Sequence, residues 1–394
     1  MKTGDVRSEN KINLLRLLYR RNLSRAELAR ALSLSKSAVT GLIAELEEQN
    51  LVAEVGLGES SEVGGKKPMI LSVNRDAGAI LSIHFDDAVC GVALADMIGE
   101  IKASTVFEIA VHDDAMATLR EMGSHIRRFL EPLLGSERPL ACGVSVKGLV
   151  DSDRGLLVYT STNPHWNDVP VGEFFSALLG VRTFVDNDAR AVMCLDAFHL
   201  PDEEMDVVGC ICIEKGVGTA VMIGNNILKG AFFGAVNFGH TAIDPDGPHC
   251  KCGKRGCWEA HISTDALLRK ARALPGHSRV AYDEIAERYR SGDAEISQML
   301  LDDYCRWIGL GVANYSRVFN PRRLMLYVDA DLFDEALQER VLEIVRSHEN
   351  QVTAKSRIRF AAAGPTLHLR AAAALAIRHF LSTTHHDALM KGAA

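Results

Sequence analysis

Three cysteines that fall within eight residues constrain the fold of this chain more than any other feature of its sequence. They follow the spacing Cys-x-Cys-x4-Cys, and a Gly-His pair stands ten residues before the first of them. In a chain with the character of a cytosolic protein, such clustering indicates a metal site rather than a disulfide framework. Three thiolates and one imidazole complete a tetrahedral set for zinc, and four protein ligands make the ion structural. The predicted ligands are His240, Cys250, Cys252 and Cys257, with His249 and His261 as alternatives for the histidine.

The first 50 residues predict a helix-turn-helix. Apolar positions in residues 10–20 predict a short buried helix. Residues 24–27, Ser-Arg-Ala-Glu, form a capping box for a second helix, and Ser35 can cap a third whose apolar positions continue to Leu46. Two capped helices joined by a tight turn are typical of this motif. Small polar side chains and a cation at the start of the third helix suit phosphates and base edges in a major groove.

A wing is predicted after the third helix. Residues 51–55 and 69–73 predict two short strands, and the segment between them contains Gly-Gly-Lys-Lys-Pro at 64–68. A flexible hairpin tipped with lysines is suited to the DNA backbone or the minor groove. The alternative is a small helical protein-interaction module, which the caps, the helix spacing and the basic wing disfavour. The residues predicted to contact double-stranded DNA are Arg25, Ser35, Lys36, Ser37, Thr40, Lys66 and Lys67.

Charge is distributed unevenly along the chain. Residues 1–50 hold nine Lys and Arg against six Asp and Glu, whereas the whole chain carries a net charge of −7. A basic end on an acidic body fits a local nucleic-acid contact and excludes a generic polyanion binder. The charged start does not resemble a secretory signal, and no uncharged stretch reaches the length of a membrane span. The prediction is therefore a cytoplasmic protein without membrane contact.

From about residue 74 onward the pattern changes to an α/β one. Strand-like runs at 79–84, 89–95 and 140–146 alternate with longer helical stretches. We therefore predict two domains, a winged helix-turn-helix at 1–75 and an α/β body at 76–394. Because each headpiece offers only one short recognition helix, paired half-sites and a homodimer, or a dimer of dimers, are expected.

The chain resembles the repressor branch of the ROK family, the branch of the xylose and N-acetylglucosamine repressors. Beside the headpiece and residues 64–68, the resemblance rests on Gly-Val-Ser-Val-Lys-Gly at 143–148, on Asp-Asn-Asp-Ala at 186–189 and on the Gly-His and cysteine run. It implies a two-lobed actin/hexokinase-like domain with a sugar bound between the lobes. It also implies ligand contacts from Asn163, Asn187, Asp188, Asn237, His240 and Glu259.

Two departures from the ROK pattern fall on the sugar side. Asn237 stands where kinases of the family have a glutamate, and Lys147 replaces a proline. In those kinases the aspartate at the position of Asp188 is the general base, because a carboxylate can take the proton of a hydroxyl that attacks a phosphate.

The nucleotide motifs depart further. Residues 83–88, Ile-His-Phe-Asp-Asp-Ala, lack the glycines and threonine of the first phosphate loop. Two adjacent carboxylates, Asp86 and Asp87, would repel a phosphate there. Glu214 stands in the second loop where a small or hydroxyl residue is usual, and Val-Asp-Ala at 328–330 replaces a glycine pair. Asp188 is then a vestigial base, and no residue is predicted to be catalytic.

These features predict a sugar-responsive DNA-binding transcription regulator, a repressor, that is not an enzyme. Its predicted partners are an operator DNA and a sugar or sugar-derivative effector, and its predicted cofactor is structural zinc. One alternative is an active ATP-dependent sugar kinase with a DNA-binding headpiece, which the retained Asp188 favours. Another is a regulator controlled by a protein partner.

Overall fold

The computed structural model describes residues 3–58, 67–86, 88–135, 138–161, 163–200, 206–348 and 355–382. The first part is a headpiece of three helices and a small antiparallel sheet with the strand order β1-β3-β2. Its elements are α1 (Thr3–Arg20), β1 (Leu23–Ser24), α2 (Arg25–Ala31), α3 (Lys36–Glu48), β2 (Val52–Leu57) and β3 (Met69–Val73). This is the predicted winged helix-turn-helix.

The predicted helix caps are present. The Ser24 side chain accepts a hydrogen bond from the Glu27 amide, and the Glu27 carboxylate accepts one from the Ser24 amide at 2.8 Å. Ser35 accepts a hydrogen bond from the amide of Ala38 at the start of α3. Each cap satisfies an amide that the first helical turn leaves without a partner, which explains why both helices begin where the sequence predicts.

The first helix is longer than predicted. It begins at Thr3, whereas the apolar pattern indicated a start at residue 10. Its early turns are held by charge, because Glu45 of α3 pairs with Arg7 and lies 2.8 Å from the ammonium of Lys11. Hydrophobic periodicity does not detect turns that are held to a neighbouring helix by ion pairs.

Two five-stranded sheets form the body, and they share one topology. The first has the order β11-β7-β4-β5-β6 and the second the order β14-β13-β12-β15-β16. In each sheet, three consecutive strands form an antiparallel meander, β4-β5-β6 in the first and β12-β13-β14 in the second. Two further strands lie beside the first strand of the meander and run parallel to it, β7 and β11 in the first sheet and β15 and β16 in the second. We call them the first-lobe and second-lobe sheets.

The first lobe runs up to α6 and includes a small antiparallel sheet with the order β10-β9-β8. Its elements are β4 (Ile80–Phe85), β5 (Val89–Ala95), β6 (Ile101–Glu108), α4 (Ala115–Leu134), β7 (Ala141–Val146), β8 (Leu149–Asp151), β9 (Leu156–Tyr159), β10 (Asn167–Val169), α5 (Val171–Leu179), β11 (Thr183–Asn187) and α6 (Asp188–His199).

The second lobe follows, and the chain returns to the first lobe with its last helix. Its elements are β12 (Val207–Ile213), β13 (Val217–Ile223), β14 (Asn226–Ile227), α7 (Glu259–Ile262), α8 (Thr264–Arg272), α9 (Tyr282–Arg290), α10 (Ala294–Gln298), α11 (Cys305–Phe319), β15 (Arg323–Val328), α12 (Glu335–His348), β16 (Arg357–Ala362) and α13 (Pro365–Ser382), with a 3-10 turn at Phe238–His240 and a π-helical segment at Met299–Tyr304.

The last helix packs on the first-lobe sheet at very short range. A Cβ atom on Gly143 of β7 would lie 1.9 Å from the carbonyl oxygen of Ala372, so only glycine admits the backbone of α13 at this distance. This contact fixes α13 against β7 and β4, beside the gap between the lobes.

Headpiece and body share one hydrophobic cluster. It contains Leu14 and Leu18 of α1 together with Ile377 and Phe380 of α13, each no more than 3% exposed. The ring of Tyr19 also lies 4.3 Å, centroid to centroid, from that of Phe198 near the end of α6. The headpiece is therefore packed against the body. No helix among the described residues is long and apolar enough to cross a membrane.

Candidate ligand cleft, metal site and nucleic-acid surface

A cavity of about 340 Å³ opens between the two lobes. Side chains of the first lobe, such as Lys147, line one wall, and residues of the second lobe, such as Glu214, line the other. The structure brings together five of the six residues that the sequence predicted as ligand contacts. The five in this cavity are Asn187, Asp188, Asn237, His240 and Glu259.

Asn187 and Asp188 lie at the carboxyl end of a parallel strand, where β11 meets α6. The Asn187 side chain caps α6 and donates to the carbonyl of Gly148 at 3.1 Å, which fixes its orientation. Asp188 is 9% exposed. Burial raises the pKa of Asp188, against the opposing charges of His368 and Lys147. A carboxylate of raised pKa beside a polar cavity is suited to accept hydrogen bonds from ligand hydroxyls.

Glu259 and His240 form the second-lobe end of the cleft. One carboxylate oxygen of Glu259, Oε2, accepts from the amide of Val217 at 2.9 Å, so the β12–β13 turn holds the side chain in place. The other oxygen, Oε1, lies 4.0 Å from Nδ1 of His240. Asn237 immediately precedes the 3-10 turn that carries His240, and it is exposed to the cleft.

Asn163 lies apart from the other five. It lines a smaller neighbouring cavity with Asp86 and Trp166. Its amide nitrogen donates to the carbonyl of His112 at 3.3 Å, and its oxygen accepts from the amide of His165 at 3.1 Å. Both ends of the side chain are therefore used in shaping the loop, and a ligand contact by Asn163 stays a prediction.

The cysteine run forms a compact donor cluster with one histidine. Single donor atoms of His240, Cys250, Cys252 and Cys257 all lie within 4.8 Å of one another. Neither His249 nor His261 belongs to this cluster. The ring of His261 lies 4.0 Å, centroid to centroid, from that of Trp307, at an interplanar angle of 30°. The cluster adjoins the cleft, because Cys252, His240 and Glu259 all line it.

A glycine allows the cysteine loop to close. Gly256 has a φ of +67°, and a Cβ atom there would lie 1.6 Å from the carbonyl oxygen of Asp244. Only glycine fits such a position, and the next residue, Cys257, is thereby turned toward the other donors.

Charged side chains, from the exposed Lys215 to the buried His368, meet between the end of β4, the β12–β13 turn and α13. Oδ2 of Asp86, at the end of β4, lies 3.5 Å from Nζ of Lys215 in the β12–β13 turn. Glu214 in that turn lies 2.7 Å from Nε2 of His368 on α13. The rings of His84 and His368 stack at 4.3 Å. His84 lies within residues 83–88 but was given no role from the sequence, and no local motif contains His368. Asp87 lies outside the described residues.

Arg190 is a third residue to which the motifs assigned no role. It is 4% exposed and its guanidinium makes three hydrogen bonds. The acceptors are Oδ1 of Asp186 at 2.6 Å, the Phe233 carbonyl at 2.7 Å and the Val150 carbonyl at 2.7 Å. Phe233 begins the segment 233–237 that lines the cleft. Arg190 therefore joins α6, a first-lobe strand and the cleft loop of the second lobe.

The predicted nucleic-acid surface is exposed on α3. Ser35, Lys36, Ser37 and Thr40 are all exposed, and the Thr40 hydroxyl donates to the Lys36 carbonyl at 2.9 Å. Lys67 is also exposed, whereas Lys66 lies outside the described residues.

Arg25 is already paired within the headpiece. Its guanidinium lies 3.2 Å from the carboxylate of Glu47 and 3.0 Å from that of Glu54. These contacts join α2 to α3 and β2, so a DNA contact by Arg25 requires the guanidinium to leave these partners or share them.

Comparison with known families assigns the body. The model of the ROK family matches residues 91–379, which is more than half of the chain. The chain belongs to the ROK family. A MarR family model matches residues 8–59, within the headpiece that precedes the ROK domain.

Relatives within the ROK family include both repressors and kinases. The xylose repressor of Bacillus spizizenii is 29% identical over 318 residues, which cover 80% of this chain and 80% of that protein. The glucokinase of Streptomyces coelicolor is 32% identical over 222 residues, which cover 52% of this chain and 68% of that enzyme.

A solved ROK structure matches the whole fold. A ROK family transcriptional regulator, a homologue of the Escherichia coli MLC protein, has a TM-score of 0.80 at 21% identity, covering 98% of this chain and 99% of that one. The fold is therefore a winged helix-turn-helix followed by a two-lobed actin/hexokinase-like ROK domain, as the sequence predicted.

Proposed function

We propose that this protein is a sugar-responsive DNA-binding transcription repressor that does not phosphorylate its effector. Residues 1–75 bind the operator, and residues 76–394 bind a sugar or sugar derivative. The observation that carries the proposal is the contrast within the cleft. Polar side chains suited to hydroxyls, such as Asn187 and Asp188, face the cleft, while Glu214 in the cleft and Asp86 in the adjoining smaller cavity are already paired with cations.

The absence of kinase activity follows from how phosphoryl transfer works. The reaction depends on positioning the phosphates and neutralising their charge. Asp86 and Glu214 bring negative charge to the two turns that would hold the phosphates. Asp188 alone cannot then support transfer, so it is proposed to contact the effector. The match to a glucokinase makes turnover the outcome to be tested.

We further propose that the donor cluster binds one structural zinc ion. With Zn–S bonds of about 2.3 Å, the edges of a zinc tetrahedron measure about 3.8 Å. Sγ of Cys252 and Sγ of Cys257 are 3.6 Å apart, and Sγ of Cys250 lies 3.5 Å from Nδ1 of His240, which supports this ion. The zinc would hold together the loop that carries His240 and Glu259, and so would support the cleft indirectly.

The effector proposal is tested first with the unmodified protein. A thermal-shift screen with monosaccharides and their amino, acid, alcohol and phosphorylated derivatives identifies the ligand. At a free concentration a hundred times its dissociation constant, a ligand stabilises the folded state by about 2.7 kcal/mol. ATP consumption is then measured with that ligand. Sugar-dependent turnover above about 1 s⁻¹, the low end of ordinary kinase rates, would establish a kinase instead.

Asp188→Asn is expected to abolish the effector response. Its affinity for the operator without effector should stay within twofold of that of the unmodified protein. The amide keeps the shape of the side chain but loses an acceptor for ligand hydroxyls. Operator binding is measured with and without the identified sugar. Asp283→Asn, an exposed change on α9, is the matched control and should retain the full response. An unchanged response in Asp188→Asn would exclude Asp188 from the ligand site.

Lys36→Ala is expected to weaken operator binding by about tenfold at physiological salt, because an exposed cation at the start of α3 is lost. For a dimer, loss of two phosphate contacts lowers the slope of log K against log salt by about 1.8. The measurement is a salt titration of operator affinity. Lys355→Ala, at an exposed position just before β16 in the second lobe, removes the same charge outside the headpiece and should leave the slope unchanged. Equal slopes for both variants would contradict the proposed surface.

A further inference from the structure

Strand β6 forms one edge of the first-lobe sheet. Within the ranges that the structure describes, no strand pairs with its outer side. With eight residues, β6 is longer than the other edge strands of the two body sheets, β11, β14 and β16, which have five, two and six. A long edge of this kind presents a row of amides and carbonyls that another strand can bind.

The ladder with β5 shows which backbone groups of β6 point outward. Just past the end of β6, the amide of Ile109 donates to the carbonyl of Ala88 at 2.9 Å, which makes these two residues a hydrogen-bonded pair. Such pairs alternate with non-hydrogen-bonded ones along an antiparallel ladder, and the register with β5 is regular from there back to Ala103. Every second residue counted back from Ile109 therefore bonds to β5. The residues between them, whose amides and carbonyls point to the outer edge, are Ser104, Val106 and Glu108.

The exposed face of β6 is complementary in charge to itself. Its side chains are those of Lys102, Ser104, Val106 and Glu108. Lys102, whose side chain is 54% exposed, lies at one end of the strand, and Glu108 lies at the other. Two copies aligned antiparallel about Thr105 place Lys102 of each opposite Glu108 of the other. The same alignment places Ser104 opposite Val106, so that backbone groups pointing outward from one copy meet those of the second.

We infer that this edge binds a second copy of the chain, by antiparallel pairing of the two β6 strands about Thr105. The pairing joins the first-lobe sheets of two copies and covers the side chain of Val106, which is 52% exposed. Each interaction forms twice, because the contact is two-fold symmetric. The two charge pairs fix the register, since any slip along the strand moves Lys102 away from Glu108 of the second copy.

The start of β6 adjoins the headpiece. Ile101 packs against the hydrophobic cluster that α1 and α13 share. A dimer formed through β6 therefore holds two headpieces in one particle, as the recognition of paired half-sites requires. Pairing of the edges needs neither an effector nor operator DNA, so it can be measured on the protein alone.

Cysteine cross-linking of the full-length protein tests the register. Thr105 would lie opposite Thr105 of the second copy in a non-hydrogen-bonded pair with Cα atoms about 4.5 Å apart, which a disulfide can span. Thr105→Cys is therefore expected to form a covalent dimer in oxidised glutathione, well above the background of the unmodified protein. Ser104→Cys and Val106→Cys are the matched controls, because each would lie diagonally about 7–8 Å from its own counterpart, too far for a disulfide. Equal cross-linking in a control, or none in Thr105→Cys, would overturn the inference.

Charge reversal tests the two ends of the pairing. Glu108→Lys places a lysine opposite Lys102 twice and is expected to weaken self-association about tenfold, because two pairs of opposite charge become pairs of like charge. The dissociation constant is measured by sedimentation equilibrium. Lys102→Ala/Glu108→Lys removes the facing lysine and should bring this constant back to within threefold of that of the unmodified protein.

The control for net charge is Glu287→Lys, an exposed change on α9, which should leave self-association unchanged. Equal weakening in this control and in Glu108→Lys would contradict pairing through β6. Unmodified protein that does not self-associate, or no recovery in Lys102→Ala/Glu108→Lys, would contradict it as well.

Discussion

Cys252→Ser is expected to abolish metal binding and the effector response together. Serine oxygen is a poor ligand at neutral pH, and three remaining donors leave the tetrahedral set incomplete. Structural zinc contributes about 10–16 kcal/mol of apparent binding free energy in small zinc peptides, so its loss should unfold the cysteine loop. His240 and Glu259 stand at the two sides of that loop and both line the cleft. The cleft should lose two ligand contacts at once.

The measurement is elemental analysis of protein purified without chelator, combined with the sugar-induced thermal shift. One zinc per chain is expected in the unmodified protein and none in the variant. Cys305→Ser changes a buried cysteine on α11, outside the cluster, and should keep the full zinc content. Because thiolates and a neutral imidazole are the ligands, zinc should also be released as pH falls. Unmodified protein without zinc would contradict the proposed site.

Arg190→Met is expected to destabilise the folded protein by about 3–5 kcal/mol, the usual cost of removing one partner of a buried ion pair. The side chains of Arg190 and Asp186 are 5% and 3% exposed, and methionine leaves the carboxylate without its cation. The carbonyls of Phe233 and Val150 lose their donor in the same step. Equilibrium unfolding in urea measures the change.

A second variant separates the charge from the packing. Asp186→Asn/Arg190→Met removes both charges and should recover most of the lost stability, because no unpaired carboxylate remains. Burial raises the pKa of Asp186 even beside Arg190. The deficit of Arg190→Met should therefore shrink as pH falls and the carboxyl group is protonated. A loss of less than about 1 kcal/mol, or no recovery in the double variant, would mean that this pair is not the link between α6 and the cleft loop.

The sequence predicts features that depend on residues close together in the chain. The capping box at Ser24 and the cluster of Cys250, Cys252 and Cys257 are of this kind, and both are present in the structure. The strand that precedes Asp86 also follows from a short apolar run, at 79–84.

Features that depend on residues far apart in the chain could not be predicted from the sequence. The carbonyl acceptors of Arg190 lie 43 and 40 residues away, and His368 is 154 residues from Glu214. The early turns of α1 depend on Glu45, 38 residues from Arg7. No spacing in the sequence identifies these pairs, because the folded backbone creates them. Asn163 is a different case, since a motif position does not say where a loop turns its side chain, and this one lines the smaller cavity.

The packing of the headpiece on the body has a consequence for regulation. Helix α6 begins with Asp188 in the cleft and carries Phe198, against Tyr19, near its other end. These ends are about 15 Å apart along one rigid helix. If an effector shifts α6, the displacement reaches α1 without crossing a flexible linker. Thermodynamic reciprocity then requires that operator DNA change the affinity of the cleft for its effector by the same factor by which the effector changes the affinity for DNA.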